Sequence, residues 1–265
     1  MPGDFMGVFT IGQTLDRGFR LYRKTLKTLL LLFLPPGLIL TLSLTGMVIG
    51  AEMEYPILTG ISGISNLFSL VFIAYIGIIS IRYLHQVSEG HSPLLGDILR
   101  FSGPKDLLYL LTLLLWMAVA MLTMLALLVP YIWFANLSYL GIVIAIVEKR
   151  YGFSSIKRTI ELTRKRWWKT FAINLILGLM VAVPMYGVMI LASGVLPIFA
   201  ADVNEQSMAN VVAAIVGLML VSAIVFIVIT PLYYTTLVVH YNSLRSEKES
   251  ADLDKQLDEL AVSPN

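Results

Sequence analysis

Cysteine is absent from the 265 residues, histidine occurs three times, and only 14% of the chain is charged. Without cysteine there is no disulfide framework and no thiolate metal centre, and three histidines are too few to build an imidazole metal site unaided. A soluble domain carries about 25% charged residues, so the shortage of charge excludes a water-soluble enzyme. Catalytic signatures are missing as well: no Gly-x-Ser-x-Gly, no His-Glu-x-x-His, no P-loop and no Gly-x-Gly-x-x-Gly occurs. What the chain has instead is apolar surface, with 57% hydrophobic residues and a mean hydropathy of +0.82. This composition belongs to a membrane protein.

An ionised side chain at the bilayer centre costs about 2.5 to 3.5 kcal/mol on insertion scales, so the stretches between charges mark the crossings. They are 28–51, 55–81, 107–147, 170–201 and 206–244. A transmembrane helix needs about 20 residues, and the third stretch is long enough for two, with Pro130 as the place where the chain can reverse. The reading is an all-α protein with six transmembrane helices, at approximately 28–50, 60–82, 107–129, 131–148, 170–197 and 210–236. An integral membrane domain then occupies 1–245, followed by an acidic tail at 246–265, which is expected to fray.

An even number of crossings puts both termini on one side. If that side is the cytoplasm, the inner segments 1–27, 83–106, 149–169 and 237–265, with Arg82 at a boundary, contain all 19 Lys and Arg. The outer loops contain only Glu52, Glu54, Asp202 and Glu205. The positive-inside rule therefore orients the chain in a prokaryotic cytoplasmic membrane with both termini cytoplasmic. The first apolar run lies behind five basic residues and exceeds the length of a signal h-region, so it reads as a retained helix.

Surface helices are expected ahead of each outward crossing. In the first, Ile11, Leu15, Phe19, Tyr22 and Leu26 recur at helical spacing, opposite Arg17, Arg20, Arg23, Lys24 and Lys27. In the third, 153–169, Phe153, Ile156, Ile160 and Trp167 share a face opposite Lys157, Arg158, Glu161, Arg164 and Lys165. Trp167 and Trp168 stand where this helix turns into the membrane, the depth at which tryptophan is enriched. A weaker copy lies at 93–105. The layout "surface helix, crossing out, crossing in" thus occurs three times, all in one orientation, unlike the inverted repeats of many secondary transporters.

One stretch carries a family resemblance. Glu148, Tyr151-Gly152-Phe153, the basic run Ile156 to Arg164 and the aromatic Trp167-Trp168-Lys169-Thr170-Phe171 together resemble the membrane domain of the glycerophosphoryl diester phosphodiesterase type. That family shows a Glu at the inner end of a helix, a Gly-containing turn, a basic surface helix and an aromatic return to the bilayer; Thr159 stands where Ser is usual. The end of the chain, Tyr241-Asn242-Ser243-Leu244-Arg245, is similar to the family's closing Tyr-x-Asp-Leu-Arg, departing at Ser243 and further on at Glu247 and Ser250. Gly12, Leu15, Gly18, Phe19, Tyr22 and Arg23 fit its opening surface helix. The resemblance implies the membrane part alone: in that family hydrolysis belongs to a separate soluble domain, and only about 25 residues follow the last expected span.

Within the spans, Asn136 and Asn174 are polar candidates whose commoner use is hydrogen bonding between helices. Gly46-x-x-x-Gly50 favours close packing within the chain. His85, His91 and Glu89 share a cytoplasmic loop but lack the ligand number of a metal site, and the histidines read as surface residues. The positive signal is electrostatic. Arg17, Arg20, Arg23, Lys24 and Lys27, with Lys157, Arg158, Arg164, Lys165, Arg166 and Lys169, face the cytoplasmic headgroups, each basic residue being worth about 1 kcal/mol near an anionic surface. Trp167 and Trp168 are the interfacial anchors. The expected function is non-catalytic and needs no cofactor: engagement of anionic phospholipid and an accessory role, organising lipid or supporting a membrane protein partner, with no nucleic acid involved. The alternative is a transporter or permease component for an amphipathic or lipid-like solute.

Overall fold

The structure, a computed structural model, describes residues 5–52, 54–99, 104–126, 128–200 and 205–262. These residues form eight α-helices: α1 (Ile11–Glu52), α2 (Pro56–Ser88), α3 (Leu95–Leu99), α4 (Pro104–Ala126), α5 (Leu128–Val147), α6 (Phe153–Thr163), α7 (Trp167–Ala200) and α8 (Glu205–Val262). Five of them are long and apolar enough to cross a membrane, namely α1, α2, α4, α7 and α8, while Tyr131–Val147 of α5 is a shorter apolar helix. The protein is an all-α, multi-pass membrane protein. Residues 100–103 of the weak middle segment, and Asp202, lie outside the described residues.

Several expected boundaries move. The basic segment 11–27 and the first span are one continuous helix, α1, because no Gly or Pro interrupts residues 19–34 and the i→i−4 ladder runs on. A reciprocal capping box starts it: the Thr10 amide donates to Gln13 Oε1 at 3.0 Å and the Gln13 amide to Thr10 Oγ1 at 3.3 Å. The segment 153–169 is instead divided. The α6 helix stops at Thr163, a turn closed by the Arg166 amide on the Thr163 carbonyl (2.8 Å) follows, and α7 begins at Trp167. Periodicity alone missed this turn because Trp167 falls seven residues after Ile160 and so continues the apolar spacing. The acidic tail does not fray: α8 is helical to Val262, supported by the i,i+4 pairs Arg245–Glu249 (2.7 Å) and Lys248–Asp252 (2.9 Å). Pro130 lies in the first turn of α5, where its missing N–H leaves no helical bond unmade.

The chain forms two compact units, 1–25 with 78–175 and 232–265, and 26–77 with 176–231. The first contains every Lys and Arg except Lys27. In it α5 packs on both α4 and α6. Trp116, Phe134 and Leu137 form a buried cluster against which Ile156, Ile160 and Trp167 pack. Gly141 is required there, since a methyl at its Cα would overlap the Trp116 ring. Gly152 enters α6 at φ 58°, a left-handed conformation that glycine adopts without strain, and its amide donates to Thr112 Oγ1 at 3.1 Å.

The second unit is held by close approach of small residues. Gly46 and Gly50 of α1 meet Ser62, Thr59 and Leu58 of α2, so that Gly46-x-x-x-Gly50 serves packing within the chain. Gly37 lies against Phe226 and Ile227 of α8, and Phe33 meets Phe226 edge-on with ring centroids 6.3 Å apart.

Candidate headgroup-binding site

In the first unit, three faces of the start of α1 do different work. Thr14, Gly18, Leu21, Tyr22 and Thr25 are buried, with Gly18 so close to the backbone of Thr236 that a side chain would clash. Phe19 is 49% exposed, while Ile11 and Leu15 of the same apolar stripe are half-buried. Arg20, Arg23, Lys24 and Lys27 occupy the remaining face, all exposed. The α6 helix repeats this division. Its buried residues are Ser155, Thr159, Leu162 and Thr163, Ser155 Oγ donating to the Gly141 carbonyl at 2.6 Å, whereas Phe153 is 73% exposed and Lys157 is exposed.

Glu148, just past α5, anchors the base of the site. Arg158 Nε donates to its Oε1 and Oε2 at 3.2 and 3.0 Å, Tyr241 OH donates to Oε1 at 3.1 Å, and Arg150 Nε lies 3.4 Å from Oε2. Arg158 also lies 3.5 Å from Glu161. Beside this cluster, Lys169 Nζ and the Phe9 amide both donate to Ser243 Oγ, at 3.1 and 3.0 Å. His240 Nε2 is 3.0 Å from Thr170 Oγ1, and Asn242 Nδ2 donates to Ser88 Oγ at 3.0 Å. The segment before α1 is drawn in by the same residues: Phe5 and Phe9 are buried, and the Arg17 guanidinium lies 3.8 Å from the Phe9 ring centroid. A second ion pair, Arg82–Asp106, has its carboxylate fully buried and its guanidinium 4.8 Å from the Tyr109 centroid. Burial and contact with Tyr109 push the Tyr151 hydroxyl up to about 12, so it stays neutral beside this pair.

The eleven basic residues expected at headgroups thus divide. Arg23, Lys24, Lys27, Lys157, Arg164 and Lys165 are exposed and reach no carboxylate among the described residues. Arg17 lies over the Phe9 ring, Arg20 pairs with Asp16 at 2.8 Å, Arg158 is held by Glu148, and Lys169 is bonded to Ser243. Arg166 pairs with Glu247, whose carboxylate raises the guanidinium still further above its ordinary value. Of the two tryptophans, Trp168 is 74% exposed, while Trp167 packs on the Trp116 cluster and stacks on Phe171 at 5.2 Å.

Between the α6–α7 turn and the end of α8 lies a cavity of about 630 Å³, lined by Arg158, Arg164, Lys165, Arg166 and Lys248 with Glu161, Glu247 and Asp252. Lys248 was not among the expected residues. The histidines correct another expectation. His91 is exposed, but His240 is fully buried and the His85 side chain largely so, the latter 3.4 Å from Glu89. Asn174 Nδ2 donates to the carbonyl and Oδ1 of Asn136, at 2.9 and 2.6 Å, a bond between helices. The buried rows of small residues Ser155, Thr159, Thr163 and Thr14, Gly18, Thr25, spaced by four and seven, were a signal that the apolar stripes concealed.

No family model matches this chain, and neither a curated protein nor a solved structure does.

Proposed function

We propose that the protein is a non-catalytic component of a prokaryotic cytoplasmic membrane, crossing it six times with both termini inside, that gathers anionic phospholipid around its cytoplasmic face. The sixth crossing would be α5, whose 20 residues reach about 30 Å at 1.5 Å per residue, the thickness of the hydrocarbon core. The carrying observation is the pairing of exposed, uncompensated bases with exposed apolar residues on the same segments: Arg23, Lys24 and Lys27 with Phe19, and Lys157, Arg164 and Lys165 with Phe153 and Trp168. Orientation by charge needs the bases alone; lying in a headgroup layer needs both.

Membership of the glycerophosphoryl diester phosphodiesterase membrane-domain type belongs to this proposal. Its support is that Glu148, Arg158 and Tyr241, from three separate parts of the resemblance, converge on one cluster. The order of α3, α4, α5 and of α6, α7, α8, short helix followed by two longer ones, favours the threefold repeat, with the start of α1 fused to its first crossing.

The test is spin-labelled lipid in reconstituted bilayers. Labelled phosphatidylglycerol is motionally restricted by the wild type in excess over labelled phosphatidylcholine, and the excess disappears when Arg23, Lys24, Lys27, Lys157, Arg164 and Lys165 are changed to Gln. Equal restriction of both lipids by the wild type would overturn the reading.

A further inference from the structure

The uncompensated bases are spread over two helices, but in one place bases converge on a cavity. We propose that the 630 Å³ cleft between the α6–α7 turn and the end of α8 is a discrete site for one phosphate-bearing group, and that Glu247 is a tethered competitor occupying its Arg166. This deepens the headgroup reading and rests on it for the source of the phosphate.

Arg164, Lys165 and Arg166 are consecutive in a turn, so they project from a short arc of backbone, and Lys248 faces them from α8 across the cleft. Arg158 forms the inner wall, but two carboxylates, Glu148 and Glu161, already engage it. Its charge is therefore already balanced, and it shapes the cleft without supplying a free cation. Arg164 and Lys165 carry no carboxylate partner among the described residues, and they are the open cations. Arg166 and Lys248 are each occupied, by Glu247 and by Asp252. Of these two pairs, Lys248–Asp252 is an i,i+4 contact within α8, local to one helix surface. Arg166–Glu247 joins residues 81 apart, so a carboxylate carried by α8 reaches across to the turn. A lipid phosphodiester carries one negative charge spread over two non-bridging oxygens, the charge and acceptor geometry of that carboxylate, and a guanidinium takes it bidentately. Binding would thus exchange one anion for another at Arg166 while adding new contacts to Arg164 and Lys165. Trp168, two residues beyond Arg166 and 74% exposed though not part of the cleft lining, supplies apolar surface on which the glycerol and first acyl carbons of a lipid can lie.

The experiment is native mass spectrometry of the full chain in detergent, titrated with short-chain phosphatidylglycerol, with short-chain phosphatidylcholine and with inorganic phosphate. The proposal expects one phosphatidylglycerol bound ahead of all others. E247Q tightens that first event by about three- to fivefold, and R164Q/K165Q weakens it by at least about tenfold. E249Q, which removes an equal charge outside the cleft, changes it by less than about twofold, as does K105Q/K149Q, which removes two exposed bases that do not line it. If E247Q and E249Q act alike, Glu247 is not a competitor. If K105Q/K149Q weakens the first event as much as R164Q/K165Q, there is no discrete cleft site; this outcome overturns the inference but leaves the broader headgroup reading standing. Tight binding of inorganic phosphate with the same E247Q and R164Q/K165Q responses, and no preference between the two lipids, would keep the phosphate site and overturn the lipid source.

Discussion

The two compact units differ in how they bury polar groups. In the unit made of 26–77 and 176–231, Thr41, Ser43, Ser69 and Ser222 donate to carbonyls three or four residues back on their own helices. In the unit made of 1–25, 78–175 and 232–265, Thr25, Thr159 and Thr163 do the same, but other side chains bond across the sequence: Ser155 to Gly141, Asn242 to Ser88, Tyr241 to Glu148, Lys169 to Ser243. A hydroxyl bonded to its own helix is self-sufficient in lipid and specifies no partner. A bond between helices fixes which helices meet and at what register. The first kind of interior suits a passive span packed through glycine. The second holds a defined constellation, which is what presenting an arranged set of cations requires.

The comparison can be broken most severely by topology. The chain has no cysteine, so single cysteines report cleanly. In intact cells, E54C is expected to react with a membrane-impermeant maleimide and S154C only after lysis, an all-or-none difference; the reverse pattern would invert the protein.

Next in size is Glu148→Ala. It leaves Arg158 charged and largely buried and Tyr241 without its acceptor, at a cost of about 3 kcal/mol, read by denaturation in detergent. The counterpart in the glycine-packed unit is Gly50→Leu, which pushes a side chain into the Thr59 backbone and costs about 2 kcal/mol. A polar deletion sharpens the contrast: Ser155→Ala, losing a bond between helices, costs about 1 kcal/mol, whereas Ser43→Ala, losing only a bond to its own helix, stays within about 0.5 kcal/mol. Smallest of all, R164Q/K165Q changes stability by less than about 0.5 kcal/mol, because neither side chain is buried or paired with a carboxylate among the described residues.

The helical, membrane-embedded character was legible because charge is excluded from the bilayer, so counting the gaps between charges locates long apolar helices without any packing information. The turn at 164–166 was not, since a stop between two basic helices leaves no Gly or Pro mark and the apolar spacing runs through it. The anchoring of Arg158 was hidden for another reason. Glu148 precedes it by ten residues and Tyr241 follows it by more than eighty, and no local pattern links residues that only tertiary packing brings together. His240 misled because it stands among polar residues near a helix end, and its burial depends on Thr170 of α7. The basic residues themselves were plain in the sequence. Which of them are already neutralised is a tertiary fact.

The central claim is that the uncompensated bases of the charged unit hold anionic lipid. It is tested most directly by native mass spectrometry of the protein extracted from its own membrane with minimal delipidation. Retention of defined anionic lipid by the wild type, lost in R164Q/K165Q, which keeps its stability, and retained in Gly50→Leu material that still folds, is the predicted result. A wild-type protein that emerges without lipid, or bound only to another protein, would contradict it.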